Sequence, residues 1–197
     1  MISQFRETNV IDLPFINQEL SMIPFDLKTL KGLPDYLINT AATMLKGITC
    51  SGIGYFTIHG KALKNGKTLR RGAPHTDGNY EPIHMSFGGG DGTNGWKVGE
   101  NGGAIDTDKH KRQYESSKGG LLLATNYASC LGWQGEYKGL PQVGGDCRHI
   151  QLDEPHLLQA NKVYYGNNHF IHESLPVGRD IHRVFARVTL PEDHIYS

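Results

Sequence analysis

Residues 180–190 read Asp-Ile-His-Arg-Val-Phe-Ala-Arg-Val-Thr-Leu, and no other run constrains the fold as much. The alternation predicts a strand with Arg183, Phe185, Arg187 and Thr189 on one face and Val184, Ala186 and Val188 on the other. The second face is ordinary core. The first is not, because a buried guanidinium needs an anion or a set of acceptors around it. Short strands bounded by turns fill the rest of the second half: 121–127, 130–133, 148–152, 162–166 and 170–173. Earlier in the chain, 53–59 reads as a strand, 62–66 as a turn and 84–87 as a short strand. Such a succession belongs to a mainly β fold, a double-sheet jelly roll or a related barrel.

One segment has a different period. Leu33, Leu37, Ile38, Ala41, Ala42 and Leu45 fall on one helical face, with Pro34 near the start and Gly47 after the end, so 33–46 is expected to be a helix. Residues 1–28, interrupted by Pro14 and Pro24, read as irregular, with a short edge strand around 10–13. The expected layout is a single 197-residue domain: helical and irregular support over 1–50 and a jelly-roll core over 51–197. Residues 88–103 hold eight glycines in sixteen positions. A segment so easily bent reads as a loop, either a lid over a site or a plain surface excursion.

With 38% hydrophobic residues, the chain has the composition of a globular protein. Its formal net charge of zero gives no overall basic footprint for nucleic acid. No apolar run reaches the length of a membrane span, and the first residues lack a basic-then-apolar leader. Cys50, Cys130 and Cys147 are odd in number and far apart, which argues against a disulfide framework and for a reducing, cytoplasmic setting.

His75-Thr76-Asp77 carries the chemistry. An imidazole and a carboxylate two residues apart on an extended segment point the same way. A second imidazole, His172, follows an apolar and aromatic strand far downstream. Two histidines and one carboxylate are the ligands that hold a non-haem Fe(II) on one face and leave the other positions open. Arg183 comes eleven residues after His172, inside the strand described above, where it would clamp a dicarboxylic cosubstrate. His169 is a rival for the distal ligand, but it differs from His172 in strand parity and its spacing to Arg183 is wrong. His59, His84, His110, His149, His156, His182 and His194 have no partner at ligand spacing and read as surface or hydrogen-bonded histidines.

In this order, His75-x-Asp77, His172 and Arg183 resemble the motif of the Fe(II)/2-oxoglutarate-dependent dioxygenases. The stretch His172-Glu173-Ser174-Leu175-Pro176 followed by 183–190 is similar to the C-terminal hairpin of that family. The resemblance covers roughly residues 70–190. It implies a double-stranded β-helix (jelly-roll) core. It also implies Fe(II) on His75, Asp77 and His172, with 2-oxoglutarate and O2 as cosubstrates and Arg183 on the distal carboxylate of 2-oxoglutarate. Hydroxylation of a small molecule or a peptidyl side chain would be the default reaction, and an aspartate ligand argues against halogenation. One position departs from the pattern. Many members carry a serine two residues after the arginine, and this chain has Phe185, so the hydroxyl partner of the cosubstrate is unassigned.

Around that centre, Asn79 and Tyr80 directly follow the ligand pair and are candidates to border the substrate. Tyr127 and Trp133 are candidates to line the pocket, against the commoner role of aromatic core. Arg187 is expected either to bind an anionic substrate group or to pair with an internal carboxylate. Lys61, Lys64, Lys67, Arg70 and Arg71 form a basic run leading to His75, read as a solvated hairpin face or as a guide for an acidic substrate. Oxidation of a nucleobase is thus an alternative. Two readings from other classes stand beside it: a cupin-type metal enzyme that ignores 2-oxoglutarate, and a non-catalytic jelly-roll module binding a glycan or a protein.

Overall fold

The computed structural model describes residues 1–77, 119–142, 145–191 and 195–196. Numbered in chain order, its elements are β1 (Ile2–Ser3), β2 (Phe5–Val10), β3 (Glu19–Asp26), α1 (Asp35–Leu45), β4 (Ile48–Thr49), β5 (Ile53–Leu63), β6 (Gly120–Thr125), β7 (Cys130–Trp133), β8 (Gly135–Glu136), β9 (His156–Leu158), β10 (Lys162–Asn167), β11 (Ile171–Ser174), β12 (Ile181–Leu190) and β13 (Ile195–Tyr196). The fold is mainly β. Six strands form one antiparallel sheet in the order β2-β10-β6-β12-β5-β3, and three form a second in the order β11-β7-β9.

The alternation read in 180–190 holds residue by residue, and it divides the core in two. Val184, Ala186 and Val188 join Phe56 and Ile58 of β5 and Leu122 and Ala124 of β6 on the outer face of the large sheet. Leu37, Ala41, Met44 and Leu45 of α1 cover that face. The helix has no side-chain N-cap, so this packing, more than capping, holds it in place. On the inner face Leu121 and Leu123 of β6, Tyr164 of β10 and Phe185 of β12 meet Cys130 of β7 and Leu158 of β9. The two sheets therefore pack face to face, and the residues between them are the ones that surround the site.

Three expectations need correction. Residues 1–28 are not irregular: β2 and β3 form the two edges of the large sheet. Pro24 is tolerated because an edge strand can dispense with one N–H, and β3 bulges between Leu20 and Ile23. Residues 62 and 63 continue β5 instead of turning, and the turn comes at Lys64–Lys67, closed by the Lys67 N–H on the Lys64 carbonyl. Residues 148–152 form no strand, because the Asp146 carboxylate captures the Arg148 N–H two residues on and the Ile150 N–H turns back to Cys147. The short strand expected at 84–87 and the glycine-rich loop at 88–103 lie outside the described residues.

Leu122 is fully buried between the large sheet and α1. Leu122→Ala is expected to cost about 2–5 kcal/mol of stability, read as a lower urea midpoint with an unchanged slope.

Candidate metal centre

The 72–77 segment lies beside β11 without being a regular strand. His75 and His172 exchange both backbone hydrogen bonds, the N–H of His75 to the carbonyl of His172 at 3.0 Å and the reverse at 2.9 Å. Residues paired in this way project their side chains from the same face, so two histidines remote in sequence become neighbours with ring centroids 4.5 Å apart. The other edge of the segment is held as firmly. Thr76 N–H donates to the Gly145 carbonyl at 2.9 Å, and Cys147 N–H donates to the Pro74 carbonyl at 2.9 Å. Ala73 enters the segment with φ +72°, a left-handed conformation unusual for a residue with a Cβ. Its N–H is taken by the Glu173 carboxylate at 3.1 Å.

Ligand atoms of His75, Asp77 and His172 all lie within 4.8 Å of one another, and among the described residues no other group of three His, Cys, Asp or Glu could hold a metal ion. The imidazoles are oriented alike. Each Nδ1 meets a carbonyl two residues upstream, His75 on Ala73 at 2.8 Å and His172 on Phe170 at 3.1 Å. Read as N–H donors, these contacts leave both Nε2 lone pairs for the shared point, the arrangement that metal-binding histidines adopt. Nε2 of His172 is already 3.3 Å from Oδ2 of Asp77.

Electrostatics favour the protonation states a metal needs. Burial, reinforced by the neighbouring His172, depresses the pKa of His75 to about 3, so its imidazole is neutral. Burial opposes ionisation of Asp77, but the Arg187 guanidinium and the two imidazoles override it and hold the carboxyl well below the usual range. Arg187 pairs with Asp77 through Nη1 and contacts the sulfur of Met22 through Nη2. Of the two roles expected for Arg187, pairing with an internal carboxylate is the one observed.

Arg183 has a different environment. It is fully buried, and its described partners are all neutral: the Ser174 hydroxyl at 2.7 Å, the Ser129 carbonyl at 3.2 Å, the Cys130 sulfur at 3.1 Å and the Thr125 hydroxyl at 3.4 Å. Burial lowers its pKa, with the Cys130 thiol opposing, yet an arginine remains charged. Ser174 lies two residues beyond His172 on β11, so one strand face carries both a metal-ligand candidate and a guanidinium contact. The Thr125 and Ser174 hydroxyls both lie against the Arg183 guanidinium.

The remaining candidates scatter. His169 falls in the turn between β10 and β11 and is not part of the ligand cluster. Trp133 faces away from the site into a separate cluster with Cys147 and Ile171, its indole N–H on the Asp153 carbonyl. Tyr127 packs against the inner cluster from the turn after β6, with Arg179 over its ring. Asn79 and Tyr80 lie outside the described residues, as do His84, His110 and His194. The basic run divides: Lys64 pairs with Asp180 at the surface, whereas Arg70 turns inward to Glu19 at 2.7 Å and lies over the Phe185 ring. His59, read as a surface or hydrogen-bonded histidine, sits on the inner face opposite Phe185 and 3.7 Å from Glu19. The signal for it was parity, since His59 and Thr57 share a face of β5. No sequence pattern announced Glu19.

Comparison with protein-family models, curated proteins and solved structures gives no match.

Two outcomes follow from this geometry. Gly145 has φ +74°, and a Cβ there would stand 2.0 Å from the Thr76 carbonyl oxygen. Gly145→Ala should cost about 1 kcal/mol or more of stability and weaken binding of a divalent metal, measured by calorimetric titration. The second concerns acid. Native His75 resists protonation down to about 3, whereas the unfolded chain takes up that proton near 6.5. Stability of the metal-free protein should therefore fall as pH drops through this window. Asp77 adds a further loss below the ordinary carboxylate value of 3.8, because the native carboxyl gives up its ionised form later than the unfolded one. Urea midpoints against pH should show a shallower upper limb in His75→Asn.

Proposed function

We propose that this protein is an Fe(II)- and 2-oxoglutarate-dependent oxygenase with a double-stranded β-helix core, acting on a small molecule or a peptidyl side chain. The observation that carries the reading is Arg183. This fully buried guanidinium has no counter-charge among the described residues, and it contacts Ser174, two residues beyond His172 of the His75, Asp77 and His172 cluster. A diacid chelating a metal at that cluster would bring its second carboxylate toward Arg183, and a planar fork matches a carboxylate where an ammonium does not.

The donor set suits the metal. Two imidazoles and one carboxylate on a single side favour Fe(II) with open positions over a closed structural zinc site. When bound, Fe(II) with 2-oxoglutarate and O2 supplies the oxidising power, ending in oxygen inserted into substrate and in succinate and CO2. The chain's own groups do the positioning. Ala73 and Phe170 carbonyls fix the imidazoles. Arg187 orients the Asp77 carboxylate. Thr125 and Ser174 hydroxyls hold the Arg183 fork in place. Phe185 and the Leu121–Leu123 side of β6 keep water from the diacid.

A cupin-type metal protein would use the same three ligands but would leave Arg183 without a purpose. Nucleobase oxidation is the less favoured substrate class, because Lys64 and Arg70 of the basic run are taken up by Asp180 and Glu19.

Anaerobic addition of Fe(II) and then 2-oxoglutarate should produce a visible charge-transfer band, and aerobic turnover should release succinate. His75→Ala or Asp77→Ala should abolish both while the circular dichroism spectrum is retained. Arg183→Lys should raise the 2-oxoglutarate concentration needed for half-maximal band intensity by roughly thirtyfold, about 2 kcal/mol. An unchanged requirement would assign the clamp to another residue.

A further inference from the structure

Met22 occupies a conformation that a methionine avoids. Its φ is +54°, in the left-handed region, at the bulge where β3 sets Ser21 and Met22 against the single residue Thr57 of β5. Glycine or asparagine is the ordinary choice at such a position. The bulge removes the Met22 N–H from the sheet ladder, and the buried Thr57 hydroxyl accepts it at 3.0 Å. Thr57 pairs in register with Arg187 on the next strand, so the bulge carries the Met22 side chain across β5 toward that arginine. Its sulfur lies 3.5 Å from Nη2 of Arg187. The other terminal nitrogen of Arg187 holds Asp77, and its Nε has no described partner. Backbone strain kept at a residue whose side chain ends one contact from a metal ligand is the pattern found at functional sites.

We propose that Met22 is a positioning residue of the metal centre: from the β3 bulge, its thioether seats the Arg187 guanidinium against Asp77 and so sets the orientation of the ligand carboxylate. The proposal rests on the reading of His75, Asp77 and His172 as metal ligands. A guanidinium held only by Asp77 is free to swing with it. Fixed at its second nitrogen by a soft acceptor of matching reach, it presents one carboxylate oxygen to the metal in one direction. The thioether suits this role because it is a weak acceptor and an uncharged one, so it steadies Arg187 without competing with Asp77 for its charge.

The test compares two substitutions with opposite expectations. Met22→Leu keeps an apolar side chain of similar volume and removes the acceptor. Met22→Gln keeps the straight chain and places a carbonyl oxygen near the sulfur position. Binding of Co(II) to the whole chain is measured by titration, with the visible Co(II) spectrum as the readout of ligand geometry and thermal unfolding of the metal-free protein as the control. Met22→Leu is expected to weaken Co(II) binding by roughly tenfold, the scale of losing an outer partner of a metal ligand, and to shift the spectrum. Met22→Gln is expected to stay near the wild-type affinity and spectrum, even where its unfolding temperature is the lower of the two. If Met22 merely packs, the order reverses: Met22→Leu matches wild type in affinity and spectrum, and Met22→Gln loses affinity in step with stability. That result overturns the proposal and leaves the metal reading intact. Failure of the wild-type chain to bind Co(II) overturns the metal reading and this proposal together.

Discussion

The reciprocal pair of backbone hydrogen bonds between His75 and His172 is the contact on which the site depends. It joins segments 97 positions apart in the sequence. Because the two residues are directly opposed, both imidazoles leave the backbone on the same side, and no search of rotamers is needed to bring them together. The rest of the segment is pinned by Gly145 and Cys147 on one side and by Glu173 on the other. A loop carrying two ligand candidates thus behaves as part of a sheet.

Two arginines buried among the described residues, Arg187 and Arg183, are used in opposite ways. Arg187 is committed: its charge is matched by Asp77. Among the described residues, Arg183 meets hydroxyls, a carbonyl and a thiol, which accept from its nitrogens without matching its charge. Burial makes that imbalance costly, and an incoming carboxylate would relieve it. Phe185 lies between them on β12, with Arg70 over its ring and His59 opposite.

Much of this was legible in the sequence where the periodicity was strong. The two faces of β12, the helix over 35–45, β7 and the face of His172 all followed from spacing, because side-chain direction in a strand or helix is a local property. The readings that missed failed for local reasons as well. At 148–152 a single aspartate bent the backbone, and at 1–28 two prolines and mixed polarity concealed β2 and β3, which pair at the edges of the large sheet and need only one apolar face. Glu19 and Met22 had no local signature, since each acquires its place through the β3–β5 pairing and its bulge.

By itself the sequence determined which residues face inward together: Arg183 with Arg187, His172 with Ser174, His75 with Asp77. Those relations are set by the two-residue period of an extended chain, whatever the fold. Only the tertiary structure decided which inward faces meet. The alignment of His75 with His172, the pairing of Arg187 with Asp77 and the neutral surroundings of Arg183 are contacts between segments whose separation along the chain carries no trace of them. They exist because strand pairing and sheet packing bury particular faces against one another, a choice made by the whole chain at once.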